Sequence, residues 1–329
     1  AEGMDSILRV GCRVLTPLWL GHDLPMRTRL VLSRALGVLL AFHALTVGAQ
    51  SVLSWEEVAA RPAPPPGIRV AYGPAESQFG ELRLPSAASG AAPAPVLILL
   101  HGGCWLSDFD QSYFQHIAEA ITRQAGVATW NVEYRRLGEP GGGWPGTLLD
   151  AALATDHLRA MAAMHNLDLS RVVSLGHSAG GQLALWLATR RKLPRQSELY
   201  RADPLRLSGV IGLAPITDLA AYSRGHAGCN AAVRDLLGGA ASQQPLRYRS
   251  ASPRAQLPLG VPLWLVQGAA DPIVPASSVS AYADAARAVG DRVTLDVTPG
   301  AGHFEPALPD SASWPALLAA VRAAIQSRE

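Results

Sequence analysis

A serine becomes an effective nucleophile only with help. It needs a base to take its proton, an acid to orient that base, and amide donors for the oxyanion that forms. This chain holds each in a workable order. Gly176-His177-Ser178-Ala179-Gly180 has G-x-S-x-G spacing, in which small flanking residues let a strand turn abruptly into a helix and push the serine hydroxyl outward. Such a pentapeptide is short enough to arise by chance, so its surroundings decide its meaning. Residues 171–175 predict a short apolar strand and residues 182–188 a buried helix. Ser178 is therefore the candidate nucleophile.

The candidate base is His303, in Gly300-Ala301-Gly302-His303-Phe304, a loop after the last expected strand. His177 sits beside the serine and is assigned to local packing or hydrogen bonding. The candidate acid is Asp271, which follows the apolar run 263–267; it would fix the imidazole tautomer and stabilise the imidazolium. Asp218 is the alternative acid, with a helix-cap or turn role as its other reading. Two oxyanion donors are needed. Ala179 would supply one, and the loop His101-Gly102-Gly103-Cys104-Trp105 the other, through the amides of Gly103 and Cys104. Trp105, Tyr222 and Phe304 are the expected pocket residues. The glycine-rich 138–146 stretch lacks the Lys-Ser/Thr of a phosphate loop, and no Cys/His spacing suggests a metal. The expected chemistry needs no metal and no organic cofactor.

Holding three such residues together takes a scaffold. Residues 95–100 are apolar on both faces, as in a central parallel strand. From there strands (126–132, 171–175, 207–213, 262–267, 293–297) alternate with helices (112–124, 145–164, 277–288, 311–326), the last expected to be capped by Asp310 or Ser311. Residues 68–72 and 79–84 precede them as two strands of a meander. The pattern predicts an α/β fold: one mostly parallel twisted sheet, helices on both faces, and a small insertion between the strands near 213 and 262. That insertion, 218–260, is the natural place for a cap over the substrate.

With 329 residues, 49% hydrophobic and a net charge of +2, the chain has material for a large core. It has no basic block of the kind that nucleic acid requires. Residues 26–49 have a basic start, an apolar stretch and small residues ahead of 50, which fits a secretory signal peptide, with 1–25 as an upstream segment. No stable membrane span is expected once it is cleaved. Residues 50–67 are a Pro-rich lead-in and 68–329 the catalytic domain. Periplasmic or secreted localisation follows if the leader is used, cytoplasmic otherwise. Of three cysteines, Cys104 and Cys229 would remain after cleavage. A disulfide in an oxidising compartment and two buried thiols are both compatible with the spacing.

Together the 101–105 loop, Glu133-Tyr134-Arg135-Arg136, Gly176-His177-Ser178-Ala179-Gly180-Gly181 and Ala251-Ser252-Pro253 resemble the α/β-hydrolase superfamily. Within it they look like the esterase branch that includes kynurenine formamidase-like and feruloyl or acetyl xylan esterase-like proteins. The resemblance spans about 68–327 and implies Ser178, Asp271 and His303 as the triad. It also implies a serine carboxylesterase acting on small-molecule esters with small to medium acyl groups. Cys104 departs from the aromatic or small residue more usual there. An amidase or formamidase would use the same triad. A non-catalytic binding protein on this fold is the third reading, and the retained triad and oxyanion loop weigh against it.

Overall fold

The computed structural model describes residues 52–86, 92–225 and 228–327. The chain divides into two units, Ala1–Ala49 and Gln50–Glu329. The first holds the expected leader and upstream segment and lies outside the described residues.

The second unit begins with a short helix, α1 (Trp55–Ala59), inside what the sequence presents as a lead-in. Two antiparallel strands follow, β1 (Ile68–Ala71) and β2 (Phe79–Arg83), then β3 (Ala94–Leu100), α2 (Gln115–Ala125) and β4 (Ala128–Val132). The helices α3 (Gly146–Asp156) and α4 (Leu158–His165) lead to β5 (Leu167–His177) and α5 (Ser178–Leu187). After β6 (Gly209–Leu213) comes the insertion, with α6 (Leu219–Tyr222), α7 (Ala232–Leu237) and α8 (Pro245–Ala251). The chain closes with β7 (Leu263–Gly268), α9 (Ala276–Ala288), β8 (Val293–Thr298) and α10 (Trp314–Gln326).

The strands form one sheet in the order β1-β2-β4-β3-β5-β6-β7-β8. The β1–β2 and β2–β4 pairs are antiparallel and all others are parallel. Strand alternation splits the core. Leu97, Leu99, Val173, Leu175 and Ile211 pack under α2 and α10. Val96, Ile98, Leu100, Val172 and Val210 pack under α3, α4, α5 and α9. This is the α/β-hydrolase arrangement expected from the sequence, including the insertion between β6 and β7.

Two local expectations change. The single helix over 145–164 is two helices that meet at His157. At the break a neighbouring side chain takes a carbonyl that a continuous helix would offer to the Leu158 amide: Trp130 Nε1 donates to the Ala154 oxygen at 3.1 Å. At the other end, α10 starts after Ser313 with no side-chain cap. The Ser311 hydroxyl bonds the Glu305 carbonyl instead, and the Ser313 hydroxyl bonds Thr298 Oγ1. Among the described residues no helix is long and apolar enough to cross a membrane.

Candidate active site

Ser178 is the first residue of α5, directly after the end of β5. Its φ of 55° lies in the left-handed region, which costs a non-glycine residue energy and persists only where the surroundings enforce it. The two flanking glycines make the turn feasible. A β-carbon on Gly176 would collide with the Gly180 backbone, and one on Gly180 with the carbonyls of Leu100 and His101. The hydroxyl is thus delivered to the carboxyl edge of the sheet, beside the end of β3.

The same edge carries the other two residues. Asp271 follows β7 and His303 follows β8. His303 Nδ1 lies 2.7 Å from Asp271 Oδ2, so the imidazole N–H donates to the carboxylate. Asp271 is held from four directions: Oδ1 accepts from the Ile273 and Val274 amides, both at 2.8 Å, and Oδ2 accepts from Gln267 Nε2 at 3.0 Å as well as from His303. Burial alone would raise this carboxyl, but the His303 hydrogen bond and charge and the two amides outweigh it and hold it below the ordinary carboxylate range. His303 and Ser178 line one chamber together. Nothing local in the sequence distinguishes Gln267 from any polar residue ending a strand. Asp218, the alternative acid, caps α6, accepting from the Ala221 amide at 2.9 Å.

The loop expected to receive the oxyanion runs through three consecutive positive φ values: Gly103 at 98°, Cys104 at 56° and Trp105 at 58°. Neither the Gly103 nor the Cys104 amide meets an acceptor among the described residues. Ala179 lies in the first turn of α5, where amides have no intrahelical acceptor. The loop is anchored from several sides. His101 stacks on Tyr134 with ring centroids 4.4 Å apart, and its ring nitrogens face the Gly102 oxygen at 2.8 Å and Glu133 Oε1 at 3.0 Å. Tyr134 Oη donates to the His101 oxygen, and the Leu137 amide to the Trp105 oxygen at 2.7 Å. Cys104 is in a disulfide with Cys229, which ties the loop to the insertion.

His177 belongs to a directional chain of bonds. The Gly102 amide donates to Tyr113 Oη, Tyr113 lies 3.2 Å from His177 Nδ1, and His177 Nε2 lies 2.9 Å from the His303 carbonyl oxygen. A neutral ring carrying its proton on Nε2 satisfies every link. Burial first, then the nearby His303, pushes the His177 imidazole down to about 3.

The chamber has a volume of about 450 Å³. Phe304 is among the residues that line it. Trp105 is not: its left-handed backbone turns the indole into the core, fully buried, with Nε1 donating to Gln182 Oε1 at 3.2 Å. Tyr222 lines a neighbouring cavity of about 520 Å³ that shares Pro272 and Ile273 with the chamber, and its hydroxyl is committed to the Ile273 oxygen at 3.2 Å. In place of these two, Val52 to Trp55 form part of the wall. Among the described residues no cluster of three or more His, Cys, Asp or Glu could hold a metal ion.

Esterase LipC of Mycobacterium tuberculosis is 27% identical over 219 residues, covering 64% of this chain and 53% of that protein. Versiconal hemiacetal acetate esterase of Aspergillus parasiticus is 33% identical over 154 residues, covering 47% of this chain and 44% of that protein. The chain thus spans about half the length of these curated relatives. Among solved structures, esterase Est2 of the planctomycete Thermogutta terrifontis superposes with a TM-score of 0.65 at 21% identity, over 80% of this chain and 92% of that one, which is a likeness of fold. Residues 81–285 match the BD-FAE family, from β2 into α9, taking in the nucleophile turn, the oxyanion loop and Asp271. The chain belongs to the BD-FAE family, on the α/β-hydrolase fold.

Proposed function

We propose that this chain is a serine esterase that hydrolyses carboxylic esters of small to medium acyl groups through an acyl-enzyme. Ser178 Oγ attacks the ester carbonyl while His303 takes its proton. The tetrahedral oxyanion is received by the amides of Gly103, Cys104 and Ala179. His303 then protonates the leaving alcohol, and water repeats the sequence in reverse to release the acid. Asp271 orients the imidazole and stabilises its charged form. The observation that carries this reading is the pairing of a buried Asp271–His303 couple with a positive-φ serine and two loop amides that meet no acceptor among the described residues, around one chamber. The relatives point the same way: LipC and the versiconal protein are named esterases, and Thermogutta Est2 has been solved with propionate, with butyrate and phosphorylated by paraoxon.

The test is fluorophosphonate labelling together with turnover of p-nitrophenyl acetate and butyrate. The wild-type chain should label and turn over both. Ser178→Ala should not label and should lose on the order of 10⁴-fold or more in kcat. Turnover retained by Ser178→Ala removes the reading. A strong preference for an aryl formamide over p-nitrophenyl acetate would instead make the chain an amidase using the same residues.

The expected leader at 26–49 and the Cys104–Cys229 bond both support export to an oxidising compartment. The mature N-terminus of protein recovered after cell fractionation tests this.

A further inference from the structure

The chamber wall contains one element that neither the catalytic chemistry nor the family match accounts for. Val52, Leu53, Ser54 and Trp55 line the cavity that holds Ser178 and His303, yet they lie well before the matched region, which begins at residue 81. This segment is fastened at both ends. Upstream, the Leu53 amide donates to Glu305 Oε1 at 2.9 Å, and the other oxygen of that buried carboxylate accepts from the Gly302 amide at 2.9 Å. One side chain thus clamps the segment to the loop bearing His303. Val52 also sits against Gly302, where a β-carbon would collide with it. Downstream, Ser54 and Glu57 form a reciprocal capping box that starts α1, and Val58 is buried in the core beside α2 and α10.

Trp55 is what this strap presents to the chamber. Its ring meets Phe109 edge-on at 4.9 Å, Tyr113 edge-on at 5.5 Å and Phe304 at 6.0 Å. Edge-to-face contacts of this kind add rigidity beyond simple burial. The lining carries no Lys, Arg, Asp or Glu among the described residues. Among its polar side chains, Tyr113 and His177 are engaged with each other and Ser54 in the cap. Apart from Ser178, His303 and the amides of Gly103 and Cys104, the surface facing a substrate is therefore mostly apolar.

We infer that the 52–59 strap is a fixed specificity wall, and that Trp55 sets how long an uncharged, apolar ester chain the site accepts. The inference rests on the serine-esterase reading above. Accepting or refusing a single methylene in an apolar pocket is worth about 10- to 200-fold in kcat/KM. Removing a large ring from the wall should therefore move the length optimum rather than lower all rates together.

The experiment measures kcat/KM over two series, p-nitrophenyl esters from acetate to decanoate and acetates of increasingly long alcohols, for wild type, Trp55→Ala and Trp55→Phe. Trp55→Ala should raise the ratio of long-chain to acetate turnover by at least about tenfold in one series. Trp55→Phe, which keeps a ring and guards against misfolding, should shift it in the same direction by less. The responding series tells whether the chain seated against Trp55 is the acyl group or the alcohol. Ratios unchanged in both series, with fluorophosphonate labelling intact, overturn the strap proposal and leave the esterase reading standing. A wild-type protein that turns over no ester removes the esterase reading and this proposal with it.

Discussion

Ser178, Asp271 and His303 stand just beyond the carboxyl ends of β5, β7 and β8, three strands of one parallel run in which β6 separates the first two. Trp55, Cys229 and Phe304 reach the same chamber from a strap, an insertion and a loop, with no strand directly beneath the first two. The proposed reacting groups inherit their positions from a sheet whose register is fixed by many backbone bonds. The walls depend on a few individual ties: the Glu305 clamp, the Cys104–Cys229 bond and the aromatic contacts of Trp55. Chemistry placed by a sheet should therefore fail when a reacting group changes, and walls placed by ties should loosen one tie at a time with the chemistry still running.

The sharpest way to break that comparison lies on the chemical side. Asp271→Asn should keep the fold, since the amide retains an oxygen for the Ile273 and Val274 amides. With that oxygen so placed, the NH₂ faces His303 Nδ1 and donates to it, which moves the imidazole proton to Nε2, the wrong tautomer for taking the Ser178 proton. The expected result is a fall in kcat of about 10⁴-fold with KM little changed. A fall in KM-independent turnover below about tenfold would mean that another group orients His303.

On the wall side, the disulfide closes a sequence separation of 125 residues. Replacing both cysteines, Cys104→Ser with Cys229→Ser, should cost about 2–5 kcal/mol of stability, chiefly by releasing the unfolded chain. Activity toward the acetate should fall by less than about tenfold, because Tyr134, Tyr113 and Leu137 still hold the oxyanion loop by separate bonds. Denaturant unfolding and kcat/KM on the same preparations separate the two quantities. A loss of activity as large as that of Asp271→Asn would place the disulfide among the parts that make the chemistry.

The same contrast explains which parts of the molecule are legible in the sequence. The elbow at 176–180, the glycine-bearing loop after β3 and the run-on apolar strands are local patterns, each imposed by a backbone requirement within a few residues. The sheet follows from them because parallel strands leave little choice of connection. The walls follow from no local pattern. Trp105 lies in the oxyanion loop, yet its side chain turns inward because three residues in succession take positive φ. The strap hid in a Pro-rich stretch, although Ser54-Trp55-Glu56-Glu57 carries the S-x-x-E signature of a capped helix and could have been found. That its tryptophan meets Phe304 is a contact between the two ends of the domain, which periodicity does not reach.

His177 offers the finest probe, because it joins the two systems: its ring links Tyr113, and through it the oxyanion loop, to the loop of His303. The imidazole is buried and held down to about 3, whereas its ordinary value is 6.5. The titratable groups around it are Tyr113, His303 and Asp271. Between those two values the unfolded chain binds a proton at this position and the folded chain does not. Stability must therefore fall as pH drops from about 6.5 toward 3, with a slope of one proton, while above 6.5 both states are neutral and the group contributes no pH dependence. Asp271, also depressed, adds a loss in the same direction at lower pH, below the ordinary carboxylate range. His177→Gln keeps an acceptor for Tyr113 and a donor for the His303 carbonyl but cannot titrate. Urea unfolding at pH 7, 6, 5 and 4 should show its slope reduced by one proton, while kcat at pH 7 changes by only a few-fold. An unchanged slope would mean that the folded protein admits a charged His177, and the bond chain from Gly102 to His303 would then not be what keeps that ring neutral.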